Sequence, residues 1–482
     1  MAPHLVNASG VLLLTWTEPT AGAVKMAWLK GDLWGRPRTV AQTKALFGNW
    51  ADYAGVVALP GGWLLGHWRE KEGTGKYAYG VRLGLSKNAG RSWTALGAPH
   101  LDATETEHGF VSLAPDDRGG AWAYWLDGRA FAAKPPGPMA LRRAYLSAEG
   151  VVGPSEVVDD RVCDCCATNA AAGTLVYRDR TKGEVRDISA VTAAGVRPVS
   201  KDGWVVEGCP VNGPAIAASG DHLVTAWYTQ AGGSPRALLA RSTDKGKSWS
   251  APIEVVGGSG LGRLGIALDE RGDAYVSWLD GGSDRAGHDA TIRVRRVSPK
   301  GAVGKSVAVV ATSASRASGV PQMALYGERL VFAWTDTRKP LSIRLGSLPV
   351  AEIPRAADPV RLPPGMAGRV VVANLWSLTC APCMEELPLL AKLHKKLAKQ
   401  GGTVLGINVD PQQAEMRAEA NRLGLPFPIV HDPEGKFGLT ATILPTTVVF
   451  DRSGKQLLRL QRPIKVDDPE LKAALQKAGL DL

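Results

Sequence analysis

Two cysteines near the C-terminus have the spacing that reversible disulfide chemistry requires. Cys380 and Cys383 form a Cys-Ala-Pro-Cys motif between the apolar run Val370–Leu375 and a segment with leucines at helical spacing. This pattern predicts a strand, a tight turn and a helix. The first sulfur would then lie at the helix N-terminus, where free amides and the helix dipole stabilise a thiolate. We therefore predict that Cys380 is the nucleophile.

Cys383 lies one helical turn further on, so its thiol can attack the mixed disulfide that Cys380 forms with a substrate. This attack releases the product and leaves an intramolecular disulfide. The alternatives are a structural disulfide and half of a zinc site. A zinc site of this kind needs a second cysteine pair at short spacing, and the other four cysteines lie far upstream.

The region from about 348 to 482 resembles thioredoxin-fold domains of the TlpA type, which are exported thiol-disulfide oxidoreductases. Besides the two cysteines, the likeness rests on Trp376, Asn374, Glu386 and the run Leu444–Thr447 before a strand-like segment. Two positions depart from the thioredoxin pattern. Thr379 stands where thioredoxins usually carry tryptophan, and Asn374 stands where thioredoxin has a buried aspartate.

The resemblance implies that Pro445 follows a cis peptide bond and lies against the reactive disulfide. Backbone exposed at such a turn can pair with an extended substrate peptide. Glu386 falls on the Cys383 face of the predicted helix, where its carboxylate can accept the proton of the second thiol. The alternatives are an ordinary loop proline and a solvated carboxylate like that of Glu385.

Length and composition bound the rest of the chain. The 482 residues are far more than one thioredoxin fold needs, so a second and larger domain precedes it. The net charge of +11 is spread without a Lys/Arg block or a basic stripe, so we predict no nucleic-acid partner. Apolar runs are too short to span a membrane. The predicted chemistry requires no cofactor.

The N-terminal residues lack the features of a signal peptide. Met1–His4 has no basic region, and Val11–Leu14 is too short for an apolar signal core. We expect either a cytosolic protein or a start assigned downstream of the true one. Since TlpA-type domains act mainly outside the cytoplasm, we favour a periplasmic or extracytoplasmic location.

Residues 3 to about 348 contain a repeat of about fifty residues. Each copy is marked by an apolar strand that ends in a bulky residue, usually tryptophan. The end positions are Trp16, Trp68, Trp125, Arg178 (after Tyr177), Trp227, Trp278 and Trp334. A period this even predicts a β-propeller whose repeats are four-stranded blades, with six or seven blades in total. A β-sandwich is not expected to show so even a repeat period.

Two turns between third and fourth strands, Ser86–Trp93 and Ser242–Trp249, resemble the Asp box of sialidase-type propellers. We expect their Asx side chains to bond turn amides and their glycines to take positive φ. Their predicted role is structural.

The unusual polar motifs converge on one face if each blade has four strands. The loops that enter blades and the loops that follow second strands would form this face, which we call the propeller mouth. Arg178, Arg263 and Arg316 fall there and are candidates for binding a substrate carboxylate, as sialidases do. The alternative is that they brace loops through Asp179 and Asp187. No Arg-Ile-Pro motif or tyrosine nucleophile with an acidic partner supports a glycosidase.

The four remaining cysteines are also placed at the propeller mouth. Three interpretations compete: two disulfides, a soft-metal site such as one for Cu(I) with His108, and free buried thiols. Neighbouring cysteines can pair only in a strained vicinal disulfide. His108 alone is more typical of a hydrogen-bonded core histidine. The cysteines are Cys163, Cys165, Cys166 and Cys209.

We therefore predict a multidomain protein: an all-β, sialidase-like propeller at 1–348, a Pro-rich linker at 349–365 and an α/β thioredoxin-like domain at 366–482. The predicted function is thiol-disulfide oxidoreduction, favoured in the reducing direction. The expected partners are a protein thiol or disulfide client and an upstream reductant. Alternatives for the propeller are a glycoside hydrolase or sugar-binding module, and a copper-binding module with an attached reductase.

Overall fold

The structure is a computed structural model, and it describes residues 2–8, 10–258, 260–281, 289–338, 340–356, 362–433, 435–439, 441, 443–465 and 467–481. The chain forms two compact units, Met1–Ala356 and Ala357–Leu482. Residues 357–361 of the predicted linker lie outside the described residues. Among the described residues, no helix has both the length and the apolar character needed to cross a bilayer.

The first unit is built from seven antiparallel sheets in chain order. The first two contain β1 His4–Ala8, β2 Val11–Glu18, β3 Ala23–Lys30, β4 Leu33–Trp34 and β5 Arg38–Gln42, then β6 Gly55–Ala58, β7 Leu64–Lys71, β8 Tyr79–Ser86 and β9 Thr94–Gly97. The third and fourth contain β10 His108–Pro115, β11 Ala121–Asp127, β12 Ala140–Leu146 and β13 Glu156–Asp159, then β14 Asn169–Ala171, β15 Thr174–Arg178, β16 Ile188–Thr192 and β17 Gly195–Pro198.

The remaining three sheets complete the unit. They contain β18 Ala215–Ser219, β19 His222–Thr229, β20 Arg236–Ser242 and β21 Ile253–Gly257, then β22 Gly265–Leu268, β23 Ala274–Gly281, β24 Ala290–Val297 and β25 Val307–Thr312, and finally β26 Gln322–Tyr326, β27 Arg329–Asp336 and β28 Ser342–Pro349. Short 3-10 helices span Pro19–Ala21, Arg129–Ala132, Arg316–Ser318 and Val350–Glu352.

The seven sheets are the blades of a propeller. The first strand of each sheet lies beside the first strand of the next, and β26 lies beside β1, which closes the ring. Within the described residues the seventh blade has three strands, and its first strand is joined to that of the first blade by Asn7 Nδ2 donating to Leu325 O at 2.7 Å. Of the six or seven blades predicted, the structure has seven.

The repeated tryptophans lie on the second strands, where they fill the space between blades. Trp125, for example, packs with Val111 of its own blade and with Leu65 and Val81 of the preceding one. The first unit also extends beyond the predicted boundary at 348, because Ile353 is buried in the apolar core of the last two blades.

The two box-like turns have the expected hydrogen bonds. In the turn after β20, Ser248 N donates to Asp244 Oδ1 at 2.9 Å, and Gly246 N donates to Ser242 Oγ at 2.8 Å. Gly246 has φ +81°, a conformation that favours glycine. The turn after β8 repeats this pattern with asparagine in place of aspartate.

In its described residues, the second unit is a five-stranded sheet with three helices. The strand order is β31-β30-β29-β32-β33, with β29 parallel to β30 and antiparallel to β32. Apolar clusters cover both faces of this sheet. The elements are β29 Val370–Trp376, α1 Ala381–Ala398, β30 Gly402–Asn408, α2 Gln413–Arg422, β31 Ile429–His431, β32 Thr446–Phe450, β33 Gln456–Leu460 and α3 Pro469–Lys477. This is the predicted thioredoxin-like arrangement.

Candidate functional site

The Cys380–Cys383 pair lies where β29 passes into α1. Cys380 is the N-cap residue of α1, and Cys383 N donates to its sulfur at 3.3 Å. The two cysteines form a disulfide with a Cα–Cα distance of 5.3 Å. Cys380 is partly exposed, whereas Cys383 is 1% exposed. An attacking group can therefore reach only the first sulfur directly.

Glu386 lies one turn after Cys383 on the same side of α1 and is 4% exposed. Its Oε1 accepts from Asn374 Nδ2 at 3.4 Å and from Thr447 Oγ1 at 3.5 Å. Burial raises the pKa of Glu386 to about 7, against smaller opposing effects of the Ile464 amide and the Thr447 hydroxyl. The carboxyl group is buried, unlike its exposed neighbour Glu385.

Pro445 precedes β32 directly, and the Leu444–Pro445 peptide bond is cis, as predicted. The antiparallel register pairs Leu375 with Thr446, so Pro445 lies at the end of the sheet where β29 leads into the Cys380 turn. Leu444 and Cys380 pack against the same apolar cluster.

Sequence reasoning missed the polar network behind this turn. Asp410, just beyond β30, accepts hydrogen bonds from Ser377 Oγ, from Leu378 N at 2.8 Å and from Asn408 Nδ2 at 2.6 Å. Burial alone would raise the pKa of Asp410, but these hydrogen bonds outweigh it and hold the pKa below its ordinary value. His431 Nε2 lies 2.6 Å from Asp410 O. The only sequence signal was the polar pair Asn408 and Asp410 at the end of a buried strand.

In the propeller, the three arginines predicted at the mouth have different surroundings. Arg178 is 1% exposed and donates to three backbone carbonyls, those of Asn212, Arg186 and Tyr228, at 2.6 to 2.9 Å. Burial lowers the pKa of Arg178 to about 9. Arg178 is thus buried between the fourth and fifth blades, where it binds backbone carbonyl groups of both and does not face solvent.

Arg263 and Arg316 lie closer to solvent. The guanidinium of Arg263 donates to Ser315 O at 3.0 Å, Ser318 Oγ at 2.9 Å and Gly319 O at 3.0 Å, which ties the 3-10 helix to the start of the sixth blade. Arg316 is exposed, and its guanidinium lies 6.0 Å from the centre of the Trp50 ring. The Arg263 guanidinium lies 5.2 Å from the centre of the same Trp50 ring.

The four propeller cysteines form two disulfides, the first of the three interpretations left open by the sequence. Cys163 pairs with Cys166 and Cys165 pairs with Cys209, at Cα–Cα distances of 5.7 and 6.2 Å. No vicinal disulfide is present between the two adjacent cysteines, both of which lie in the described part of the chain.

His108 is fully buried in the third blade among histidine and carboxylate groups. Its ring stacks on His100 at 4.0 Å, and its Nε2 lies 3.2 Å from Asp102. Arg129 bridges Asp102 at 3.0 Å and Asp127 at 2.7 Å. These contacts are those of a hydrogen-bonded core histidine.

Comparison with known proteins places the C-terminal unit. Residues 349–455 match the AhpC/TSA family. The chain is 36% identical over 92 residues to the thiol-disulfide oxidoreductase ResA of Geobacillus thermodenitrificans. This match covers 18% of this chain and 52% of the relative. It is 31% identical over 141 residues to the thiol:disulfide interchange protein HelX of Rhodobacter capsulatus, covering 25% of this chain and 74% of the relative.

Similar solved structures include a thioredoxin-family thiol:disulfide interchange protein from Chlorobium tepidum. The two sequences are 24% identical, the match covers 23% of this chain and 81% of that chain, and the TM-score is 0.22. Another is a secreted thiol-disulfide isomerase from Corynebacterium glutamicum. The sequences are 26% identical, the match covers 28% of this chain and 77% of that chain, and the TM-score is 0.22. Through its C-terminal unit, the chain belongs to the thioredoxin-like thiol:disulfide interchange proteins. It spans about half the length of the ResA relatives it matches.

Proposed function

We propose that this chain is a thiol-disulfide oxidoreductase that works through Cys380 and Cys383. The observation that carries the proposal is the contrast between the two sulfurs: Cys380 is accessible and its sulfur accepts a hydrogen bond from Cys383 N, whereas Cys383 is buried. The amide and the helix dipole favour the thiolate of Cys380. That arrangement separates a nucleophile from a resolving thiol.

The reaction in the reducing direction has two exchanges. The Cys380 thiolate attacks one sulfur of a client disulfide, which forms a mixed disulfide and expels the other client sulfur as a thiolate. The Cys383 thiolate then attacks the Cys380 sulfur, so the Cys380–Cys383 disulfide forms and the second client sulfur leaves with the electron pair. The client gains two electrons, and an upstream dithiol restores the reduced pair.

Glu386 is the proposed proton acceptor for the second exchange. The Cys383 thiol must lose its proton to attack, and no water layer surrounds a sulfur this buried. A carboxyl group with its pKa raised to about 7 is partly ionised at neutral pH and is basic enough to take that proton. Asn374 and Thr447 hold the carboxylate in place.

Pro445 is the proposed docking position for the client. It lies at the end of the sheet where the Cys380 turn begins, so the backbone beside Pro445 can pair with an extended client peptide. The predicted client is a protein with a disulfide or a thiol pair.

We propose that the protein works outside the cytoplasm. All six cysteines are paired, and disulfides persist in oxidising compartments. The propeller is proposed to recognise the client or a partner. The glycosidase alternative gains no support from Arg178 and Arg263, since the guanidinium groups of both are bonded to backbone carbonyls.

The test is turnover of a disulfide-bonded peptide by the full chain with dithiothreitol as the electron source. We expect reduction above the background rate, and we expect Cys380→Ala to return it to background. Glu385→Gln, an exposed change on the same helix, is the control and should retain activity. Equal turnover by Cys380→Ala and the unmodified chain would overturn the proposal.

A further inference from the structure

The propeller disulfides differ in how solvent reaches them. Cys209 is exposed and its partner Cys165 is partly exposed, on the wall of a central cavity of about 870 Å³. Cys163 and Cys166 are each 1% exposed. A thiolate from outside can therefore attack the first disulfide, whereas the second is closed to direct attack.

The two disulfides are also close enough to exchange. The sulfurs of Cys163, Cys165 and Cys166 all lie within 4.8 Å of one another. The Cys165 sulfur, if released as a thiolate, would therefore face the Cys163–Cys166 bond without a large rearrangement of the backbone. Thiol-disulfide exchange requires this kind of approach of a thiolate to a disulfide.

The guanidinium group of Arg186 lies beside the buried sulfur of Cys163. Arg186 is 3% exposed, and its Nη1 donates to the Cys163 sulfur at 3.3 Å. Its other terminal nitrogen, Nη2, donates to Glu184 at 2.8 Å, which orients the guanidinium. A guanidinium beside a sulfur stabilises the thiolate there, so Cys163 is the favoured leaving group when the buried disulfide is broken.

We propose that the four propeller cysteines form a redox relay, in which the exposed Cys165–Cys209 disulfide passes electrons from a protein dithiol to the buried Cys163–Cys166 disulfide. This inference goes beyond the proposed function of the C-terminal unit and assigns redox chemistry to the propeller itself.

The steps balance in atoms and electrons. A thiolate of the dithiol attacks Cys209, which forms a mixed disulfide and releases the Cys165 thiolate. Cys165 attacks Cys166, so a Cys165–Cys166 disulfide forms and the electron pair moves to Cys163, beside Arg186.

The second thiol of the dithiol then resolves the mixed disulfide and frees Cys209. The Cys209 thiolate attacks Cys165, which restores the Cys165–Cys209 disulfide and releases Cys166. In total, the dithiol is oxidised by two electrons, the buried disulfide is reduced by two, and the two protons of the dithiol pass to solvent or to the new thiols. The vicinal Cys165–Cys166 bond is only an intermediate, which suits the strain and easy reduction of such bonds.

The reductant is a dithiol of the thioredoxin class. The reduced Cys380–Cys383 pair is a dithiol of this class, and a second thioredoxin-like protein could supply one as well. The test removes the pair so that the relay is examined independently: every variant is the full chain carrying Cys380→Ala and Cys383→Ala. Failure of the relay then leaves the proposed function of the C-terminal unit untouched.

The first experiment frees one sulfur and follows where the thiol goes. Cys209→Ser leaves Cys165 unpaired beside the buried disulfide. After incubation at pH 8, the protein is quenched in acid, alkylated with N-ethylmaleimide in denaturant and mapped by fragment mass spectra. We expect label on Cys163 as well as Cys165, with the Cys163 share reduced by Arg186→Gln and retained by Arg186→Lys. Label confined to Cys165 would overturn the relay.

The second experiment does not depend on that variant. Dithiothreitol reduces the chain, and the appearance of free thiols at Cys163 and Cys166 is timed with and without the exposed disulfide, which Cys165→Ala with Cys209→Ala removes. If the relay operates, the buried disulfide should be reduced at least about tenfold more slowly when the exposed disulfide has been removed. Equal rates would overturn it, as would four free thiols bound to a metal in the purified protein. Near-UV circular dichroism verifies that each variant is folded.

Discussion

The chain carries two Cys-x-x-Cys pairs, which share a spacing and differ in what surrounds the first sulfur. Cys380 begins an 18-residue helix, is partly exposed and accepts a backbone hydrogen bond. Cys163 lies in the loop between β13 and β14, is buried and contacts a guanidinium. The spacing permits a disulfide in both places. Access and charge around the first sulfur decide what can react with it.

The largest expected effect is a difference in how much each propeller disulfide contributes to the free energy of unfolding. The Cys165–Cys209 bond joins residues 44 apart, whereas Cys163–Cys166 joins residues 3 apart. Because a longer loop gains more chain entropy on release, Cys165→Ala with Cys209→Ala should lower the free energy of unfolding by about 4 kcal/mol, against about 2 kcal/mol for the short pair. Denaturant unfolding followed by tryptophan fluorescence measures both. The reverse order would show that the short pair is the main staple.

The next effect compares the first sulfur of each pair in the reduced, folded chain. Cys380 should react with iodoacetamide at pH 7 roughly 100-fold faster than Cys163, because it is accessible and its thiolate is stabilised by the helix terminus. Quantitative mass spectrometry of labelled peptides gives both rates. The control is denatured protein, in which the rates should converge. Equal rates in the folded chain would remove the distinction between the pairs.

A smaller effect concerns Glu386, the proton acceptor proposed for the C-terminal pair. Glu386→Gln should lower turnover roughly tenfold, since the Cys383 thiol loses its base. Turnover of the unmodified chain should rise through pH 7 as Glu386 ionises, and the variant should lack this step. Glu385→Gln is the matched control and should keep it.

The same residue makes a prediction for stability. The folded pKa of Glu386 lies above the ordinary value of 4.5, so the folded state binds the proton more tightly than the unfolded chain. Stability of the C-terminal unit should therefore fall as pH rises from 4.5 through 7. A pH-independent contribution, measured against Glu386→Gln, would contradict the burial of this carboxyl group.

The smallest effect tests the support behind the Cys380 turn. Asp410→Asn keeps the size of the side chain and weakens its charge-assisted bonds to Ser377, Leu378 and Asn408, so we expect a loss of about 1 kcal/mol in the free energy of unfolding. Because the pKa of Asp410 is lowered, this loss should shrink as pH falls below its ordinary value of 3.8. Glu415→Gln, an exposed change, should have no such effect.

Much of the propeller could be predicted because its signals are local. The strand ending in Trp125 or Trp227 recurs at an even period, and the tryptophan has to be buried between blades. The number of blades could not be settled in the same way. The seventh sheet has three strands, and the ring closes through β1 and β26, which are more than 300 residues apart in the chain.

The candidate site shows the same division. The Cys380 turn, Glu386 and Pro445 follow from short motifs, so sequence reasoning found them. Asp410 is brought to Leu378 by a parallel strand pair, 32 residues away in the chain, and no motif marks it. The pairing of the four propeller cysteines was equally hidden, since four cysteines allow three pairings and only the fold selects one.

The most direct test of the central claim is capture of a client by the full chain in which Cys383→Ser removes the resolving thiol. The variant, reduced and mixed with a disulfide-bonded peptide, should accumulate a mixed disulfide that mass spectrometry locates at Cys380. Cys380→Ser should accumulate none at Cys383, because Cys383 is buried. A mixed disulfide at Cys383, or none at Cys380 in the Cys383→Ser variant while the fold is intact, would contradict the assignment of Cys380 as the nucleophile.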